Sequence, residues 1–413
     1  MELYYSFSVL IVLASFFSYL NLRFLKLPST IGVMVIAMLT SIVLVITGNI
    51  FPKTLRHFST LLQDVDFTEI LMGGMLNFLL FAGAIHINLQ DLREQKLPIM
   101  IFSTISVIIS TFVVGALLYC CLPILGWHLP FIYCLLFGAL ISPTDPIAVL
   151  SILKDAHVPK SLETKVAGES LFNDGVAVVI FAVILQLAQG SEMDLSITNI
   201  SWLLVKEAAG GFALGALLGL GASNAIRKID DYKVSVLITL SVVMGGYLLA
   251  HAIHISGPLT MVAAGIVIGN YGKRTAMSAI TKDYLNKFWE LIDDILNAIL
   301  FLFIGFELLL IPNILGYSSL GVICILIVLL SRFLSIWFPT LIIPFKEKFS
   351  RGTIKILVWG GLRGGVSIAL ALSIDEGPYK LLLVAATYFV VVFSIIVQGL
   401  SIGKLARRVL PHG

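Results

Sequence analysis

The sequence has few charged residues. Asp, Glu, Lys and Arg make up only 12% of its 413 residues, whereas 58% are apolar and the mean hydropathy is +1.01. A typical soluble domain carries about 25% charged residues, so this composition excludes a soluble fold and indicates a polytopic membrane protein. No long polar stretch separates the apolar runs. We therefore expect a single membrane domain over residues 1–413, without a soluble regulatory domain.

Cysteine is also scarce. The four cysteines (Cys120, Cys121, Cys134 and Cys324) lie within apolar runs or at their ends, and their spacing is not that of a metal site. We interpret them as packing residues. The sequence gives no reason to expect a cofactor.

The apolar runs predict an all-α fold of thirteen transmembrane helices, because a helix needs ~20 residues to cross a bilayer. The segment 51–66 is too polar to span and is expected to lie along the outer interface. The predicted spans are about 4–24, 28–48, 67–86, 98–122, 129–152, 164–188, 201–226, 233–252, 257–271, 288–311, 316–340, 354–374 and 379–402.

Lysine and arginine are distributed unevenly between the two sides of the predicted membrane. Of the 27 such residues, 21 lie in the loops after the odd-numbered spans or in the tail. The opposite side has only Lys53, Arg56, Lys206 and Lys380. Cytoplasmic loops carry the excess of Lys and Arg, so we expect the N-terminus outside, the C-terminus in the cytoplasm and the chain in the cell membrane.

Two prolines interrupt the fifth span. Pro143 and Pro146 each remove a backbone donor and clash with the preceding turn, so the helix is predicted to open at 142–146. Open backbone at membrane depth survives only where protein buries it or it lines a water-filled cavity. Asp145 at this break, beside the Thr144 hydroxyl, contributes nothing obvious to stability.

The sixth span carries four polar residues within two turns. Glu169, Ser170, Asn173 and Asp174 cover about 140° of one helix, so all four are predicted to face one cavity. Intramembrane carboxylates usually mark ion or proton pathways. The pattern therefore favours an ion-exchange site.

The twelfth span is predicted to open at its own break, 360–365, where four glycines surround Arg363. The fifth and twelfth spans are seven apart, which fits two inverted repeats at about 1–188 and 233–402 with a linker helix at 201–226. Interrupted helices in inverted halves point to a transporter site at the midplane. No residue-level similarity between the halves supports the repeat, which therefore rests on pattern alone.

Arg332 lies too deep in its span to reach the interface, and Glu169 is its expected partner, since unpaired charges at that depth cost several kcal/mol each. Asp145 and Asp174 are the next candidates. At the two breaks, Asp145 and Arg363 are placed to offset the half-helix dipoles.

Some of these acids have structural alternatives. Asp145 and Asp174 could be structural acids whose charges are satisfied, one paired with Arg363 and the other with Asn173. A second group (Glu290, Asp293 and Asp294) begins the tenth span, where it either pairs with nearby lysines at a helix N-terminus or draws cations into an inner funnel.

At these motifs the chain resembles the NhaP-type and sodium/hydrogen-exchanger branch of the monovalent cation:proton antiporters. The resemblance covers essentially the whole chain. It is carried by Ile141-Ser142-Pro143-Thr144-Asp145-Pro146, Glu169-Ser170-Leu171-Phe172-Asn173-Asp174-Gly175, Phe303-Ile304-Gly305-Phe306-Glu307 and Trp359-Gly360-Gly361-Leu362-Arg363-Gly364-Gly365.

The resemblance implies that Asp174 is the carboxylate that binds both cation and proton. It places Glu169, Ser170 and the Thr144 carbonyl in a Na⁺ site, with Asp145 nearby.

It also implies that Arg332 pairs with the site glutamate and that Arg363 belongs to the second broken helix. Asn173 stands where the electrogenic branch has an aspartate, which suggests electroneutral exchange. The family further implies a homodimer, crossed interrupted helices and alternating access.

One shared carboxylate suffices to couple the two fluxes, because H⁺ and Na⁺ (or Li⁺) compete for it. A K⁺/H⁺ antiporter would use the same residues. An intramembrane aspartyl protease is disfavoured because neither acid lies in a Tyr-Asp or Gly-x-Gly-Asp context, and a passive channel because a lone acid beside an arginine makes a poor cation pore.

Overall fold

The computed structural model describes residues 2–48, 70–156, 158–190, 197–229, 231–345 and 349–409, and within these ranges the chain is helical without strands. The interface segment predicted at 51–66 and the first residues of the third predicted span lie outside the described residues. In the first half the helices that follow the predicted spans are α1 (Glu2–Leu20), α2 (Ser29–Gly48), α3 (Leu76–Ile85), α4 (Ile105–Cys121), α5a (Phe131–Leu140), α5b (Ile147–Asp155) and α6 (Lys160–Ala188).

The second half continues the same pattern of long apolar helices. Short helices and turns connect several of them. The helices are α7 (Ile197–Ile229), α8 (Tyr232–Ala252), α9 (Gly257–Val267), α10 (Ala279–Phe306), α11 (Ser318–Ile342), α12a (Arg351–Trp359), α12b (Gly365–Leu372) and α13 (Lys380–Phe393), which continues as Gly399–Val409.

Eight helices in the described ranges are long and apolar enough to cross a membrane by themselves. The other predicted spans are short or interrupted, or contain several charged residues, as the first half of α10 does. Large apolar side chains cover the outside of the fold, among them Leu217, Leu248 and Leu326 at 68%, 67% and 61% exposure. Such a surface suits lipid, so the architecture is that of a multi-pass membrane protein.

Both predicted helix interruptions are present. The fifth span stops at Leu140 and resumes at Ile147, and the twelfth stops at Trp359 and resumes at Gly365. The two open segments contact each other directly, since the Asp145 backbone N–H donates to the Leu362 carbonyl at 2.8 Å. Each open segment therefore supplies a hydrogen-bond partner for the backbone of the other.

The buried residues form two clusters, and α10 contributes to both. Phe301 of α10 lies in the larger cluster with residues of α5a and α12b, whereas Trp289 packs with Phe81 of α3 in the smaller one. The Trp289 indole N–H also donates to Thr239 of α8 at 3.1 Å. This helix therefore ties the interrupted helices to the group formed by α3, α8 and α9.

The approach of α5a to α4 depends on the absence of a side chain at Gly138. A Cβ at this position would collide with the Thr111 carbonyl and lie 3.0 Å from the Thr111 Cα. Because backbone atoms cannot rotate away as a side chain can, the helices would have to separate. The position of the fifth-span break therefore depends on this contact.

We predict that Gly138→Ala destabilises the protein by about 1–3 kcal/mol, the usual cost of overpacking. The melting temperature in detergent is the measurement. Gly245→Ala is the matched control, since a Cβ there meets nothing within 4 Å. The control should be unchanged or slightly more stable, and equal losses in both variants would contradict the packing argument.

Candidate functional site

A cavity of about 690 Å³ lies between α3, the two breaks, α6 and α10. The polar residues of the fifth-span break line its inner end, and Lys154 of α5b and Glu290 of α10 line its mouth. By the distribution of basic residues, that mouth is on the predicted cytoplasmic side. Five carboxyl groups line it: Asp145, Asp174, Glu290, Asp293 and Asp294.

Thr144 is held in place by two residues of α6. Its hydroxyl lies 2.8 Å from that of Ser170 and accepts from the Asn173 side-chain N–H at 2.8 Å. The Asn173 carbonyl in turn accepts from the Thr144 backbone N–H at 3.3 Å. These contacts fix the open backbone of the break against α6, on the wall of the cavity.

Asp174 lies one residue further along α6 and is 8% exposed. It lines the cavity, and its Oδ1 has no hydrogen-bond partner among the described residues. A buried carboxylate oxygen without a partner is costly, so the site favours an occupant that supplies positive charge or a proton. Hard alkali cations prefer oxygen ligands of this kind.

Arg363 satisfies the carbonyls that the proline break leaves open. One guanidinium nitrogen donates to the Ser142 carbonyl at 2.5 Å and to the Pro143 carbonyl at 3.0 Å. These carbonyls follow the C-terminus of α5a, where positive charge is favoured. The Arg363 backbone N–H donates to the hydroxyl of Ser394, the residue after Phe393 of α13, at 2.8 Å, which anchors the second break.

Asp145 lies near helix N-termini, whereas Arg363 lies near a helix C-terminus. Its carboxylate lies against Gly364, the residue that precedes α12b, and a Cβ on Gly364 would collide with it. Asp145 also precedes α5b by two residues, so its charge lies near the N-termini of both half-helices, where negative charge is favoured. The expectation that Asp145 and Arg363 offset the half-helix dipoles therefore agrees with the geometry.

Glu169 and Arg332 form the buried ion pair expected from their depth. The Arg332 guanidinium is 2.5 Å from the Glu169 carboxylate, with side-chain exposures of 7% and 3%. Arg332 also donates to the Leu357 carbonyl of α12a at 3.0 Å. The pair thus joins α6, α11 and α12a, away from the cavity wall.

The prediction that all four polar residues of α6 face one cavity is wrong in one respect. Of these four described residues, only Asp174 lines the cavity. The arc of about 140° is wide enough for its ends to meet different neighbours. Glu169 at one end meets Arg332, Ser170 and Asn173 in between hold Thr144, and Asp174 at the other end reaches the cavity.

Glu290, Asp293 and Asp294 lie in the interior of α10, more than ten residues from its N-terminus, and line the cavity as the funnel alternative expects. Asn297, one turn after Asp293, also lines the cavity, although the sequence motifs did not single it out. The available signal was spacing, because residues 290, 293, 294 and 297 fall on one helix face. Glu307 of the third motif is 2% exposed and does not line the cavity.

Comparison with known proteins places this arrangement among transporters. The family described as "Sodium/hydrogen exchanger, transmembrane" matches residues 11–408. The chain is 50% identical over 409 residues to the Na⁺/H⁺ antiporter NhaP of Pseudomonas aeruginosa, covering 97% of this chain and 95% of that protein. It is 36% identical over 353 residues to the Na⁺/H⁺ antiporter NhaH of Halobacillus dabanensis, covering 84% of each chain.

A solved structure has the same fold. The sodium proton antiporter MjNhaP1 from Methanocaldococcus jannaschii, determined at pH 8, matches with a TM-score of 0.80 at 21% identity over 100% of both chains. This likeness concerns the fold alone. It confirms the all-α polytopic fold class predicted from the sequence.

The Glu169–Arg332 pair generates a prediction about stability. Arg332→Ala and Glu169→Ala should each lower the free energy of unfolding by roughly 3–5 kcal/mol, because each leaves the other charge buried and unpaired. The double variant should recover much of this loss. A double-mutant cycle on thermal unfolding in detergent measures the coupling.

The exposed ion pair Lys287–Asp283, 2.7 Å apart on the surface of α10, is the matched control. The same cycle on that pair should give a coupling of less than about 1 kcal/mol, because water screens both charges. Additive losses at Glu169 and Arg332 would contradict the pairing argument.

Proposed function

The chain belongs to the sodium/hydrogen exchanger family, and from this we propose that it is a secondary antiporter that exchanges Na⁺, or Li⁺, for H⁺ across the cell membrane. The Na⁺/H⁺ antiporters named above support this reading and do not favour the K⁺/H⁺ alternative. The observation that carries the proposal is Asp174, a cavity-lining residue whose buried carboxylate has an oxygen without a hydrogen-bond partner among the described residues.

We propose that Na⁺ and H⁺ compete for Asp174. In the state with the cytoplasmic cavity open, Thr144 and Asp145 line the cavity with it and offer further oxygen ligands. Ser170 and Asn173 orient Thr144. A site that bound Na⁺ and H⁺ at the same time would not couple their movements. A single carboxylate that binds one or the other does couple them.

The role proposed for Glu169 is narrower than the sequence suggested. Its carboxylate neutralises Arg332 and accepts a direct hydrogen bond from it, so it acts on the ion mainly through the field and the position of α6. Becoming a direct Na⁺ ligand would require Glu169 to leave Arg332, which is costly for a buried charge.

The remaining parts of the proposal concern orientation and assembly. The distribution of lysine and arginine supports an N-terminus outside and a cytoplasmic C-terminus. The cavity then faces the cytoplasm, as one half of an alternating-access cycle. We propose a homodimer, with apolar outer helix faces such as that containing Leu217 available for subunit or lipid contact.

Asp174→Asn should abolish Na⁺-driven proton movement, because the amide can neither bind a proton nor supply a charge to Na⁺. The measurement is the pH change in proteoliposomes after addition of Na⁺, with size-exclusion chromatography as the test of folding. Asp283→Asn, which removes an exposed carboxylate from α10, should leave exchange intact. Normal exchange by a folded Asp174→Asn protein would refute the shared-carboxylate mechanism.

Asn173 generates a prediction about charge movement. Because α6 carries Asn173 beside Asp174 rather than a second aspartate, one proton should exchange for one Na⁺. The exchange rate should then not change when a membrane potential is imposed with K⁺ and valinomycin. A clear acceleration by voltage would show that a second titrating group takes part.

A further inference from the structure

One face of α10 forms a polar wall of the cavity that the shared-carboxylate mechanism does not use. Glu290, Asp293, Asp294 and Asn297 follow one another at helical spacing and all line the cavity. From Glu290 to Asn297 the helix rises about 10 Å. One turn further on, Leu300 packs against Gly365 at the start of α12b. The polar face thus runs from the mouth of the cavity towards the second break.

Asn297 is the unusual member of this face. It is 1% exposed, and its side-chain N–H₂ donates to the backbone carbonyl of Asp293 at 2.8 Å and to the Asp293 carboxylate at 3.1 Å. Both partners are acceptors, so the orientation of the amide is determined. Its Oδ1 is left without a hydrogen-bond partner among the described residues.

An oxygen oriented in this way suits a cation. Leaving a buried amide oxygen unpaired costs roughly 1–3 kcal/mol, and in this cavity the cost is removed by an ion or by the water around one. The Asp293 carboxylate, which accepts from the N–H₂ of the same amide, supplies negative charge in the same part of the cavity. An anion would meet the wrong charge at both atoms.

The electrostatic surroundings favour a cation as well. Five carboxyl groups line the cavity, and the basic residues of its wall are Lys154 and His86. The acidic excess in a low-dielectric cleft raises the local concentration of cations. Lys273, which lies near His86, is engaged with the Ile85 carbonyl at 2.8 Å and does not line the cavity.

The cavity also has room for a hydrated ion. One water molecule occupies about 30 Å³ in the liquid, so a cavity of about 690 Å³ accommodates a cation together with part of its hydration shell. Asp174 and Asn297 lie on different helices of the same cavity, each with an unpartnered oxygen. Two separate positions for a cation are therefore available along one path.

We propose that Asp293 and Asn297 form a second cation-binding site, separate from Asp174, which takes a partly hydrated Na⁺ from the mouth of the cavity. The identity of the cation rests on the proposed function. The site holds Na⁺ by the Asp293 carboxylate and the Asn297 Oδ1, and the ion passes from there to the break and Asp174. Its affinity is weaker than that of Asp174, since fewer fixed oxygens contact the ion.

The test is equilibrium binding of radiolabelled Na⁺ to purified protein, with choline chloride holding the ionic strength constant. Asp174→Asn should retain weak, saturable Na⁺ binding. Adding Asp293→Asn, which keeps the side-chain shape, should weaken this residual binding by about tenfold through loss of the local charge. Adding Asn297→Leu should also weaken it, whereas Asn297→Asp should preserve it. Size-exclusion chromatography verifies folding.

Asp283→Asn in the same Asp174→Asn background is the matched control, since it removes an equal charge from an exposed position of the same helix. It should leave the residual binding unchanged. The proposal is overturned if Asp174→Asn binds no Na⁺, if Asp293→Asn does not weaken the residual binding, or if Asp283→Asn weakens it equally. Exchange by the wild-type protein, measured in parallel, tests the proposed function separately.

Discussion

The structure depends on how the chain satisfies the backbone that Pro143 and Pro146 leave open. Bilayer hydrocarbon offers such groups no hydrogen-bond partner, so the protein or a water-filled cavity within it must supply one. Arg363 donates to the Ser142 and Pro143 carbonyls, and the Leu362 carbonyl accepts from the Asp145 N–H. Each interrupted helix is therefore stable only against the other. This mutual dependence fixes the relative position of the two breaks and of the cavity between them.

The buried charges follow from the same constraint. Arg363 donates hydrogen bonds to backbone carbonyls, and Asp145 lies beside the N-terminus of α12b. Arg332 and Glu169 neutralise each other. Asp174 differs, because one of its oxygens has no partner among the described residues. Neighbouring groups thus hold the scaffold, and this difference is why we propose Asp174 as the carboxylate that exchanges the two ions. Among Asp145, Glu169 and Asp174, only Asp174 has a buried side-chain oxygen without a partner among the described residues.

Much of this was predictable, since it follows from local covalent chemistry. Proline and glycine fix where the helices open, and the depth of Arg332 requires a buried acid, which is Glu169. The direction of each side chain around α6 was not predictable, because neighbours from α5, α11 and α12 decide which end of the polar arc reaches the cavity. Asn297 was missed for a related reason: its spacing placed it on the acidic face of α10, but only the structure shows that this face lines the cavity and that Asn297 binds Asp293.

Asn173 shows how these features combine in the proposed exchange. A carboxylate at this position would add a second charge that changes with the occupant of the site. An amide cannot titrate, so its bonds to the Thr144 hydroxyl and backbone N–H persist whether Asp174 holds a proton or Na⁺. The opened backbone then presents the same geometry to both ions, and only the charge on Asp174 differs between the empty and the loaded site. An empty site has to move an uncompensated carboxylate, which burial disfavours, so transit in the loaded forms couples the two fluxes.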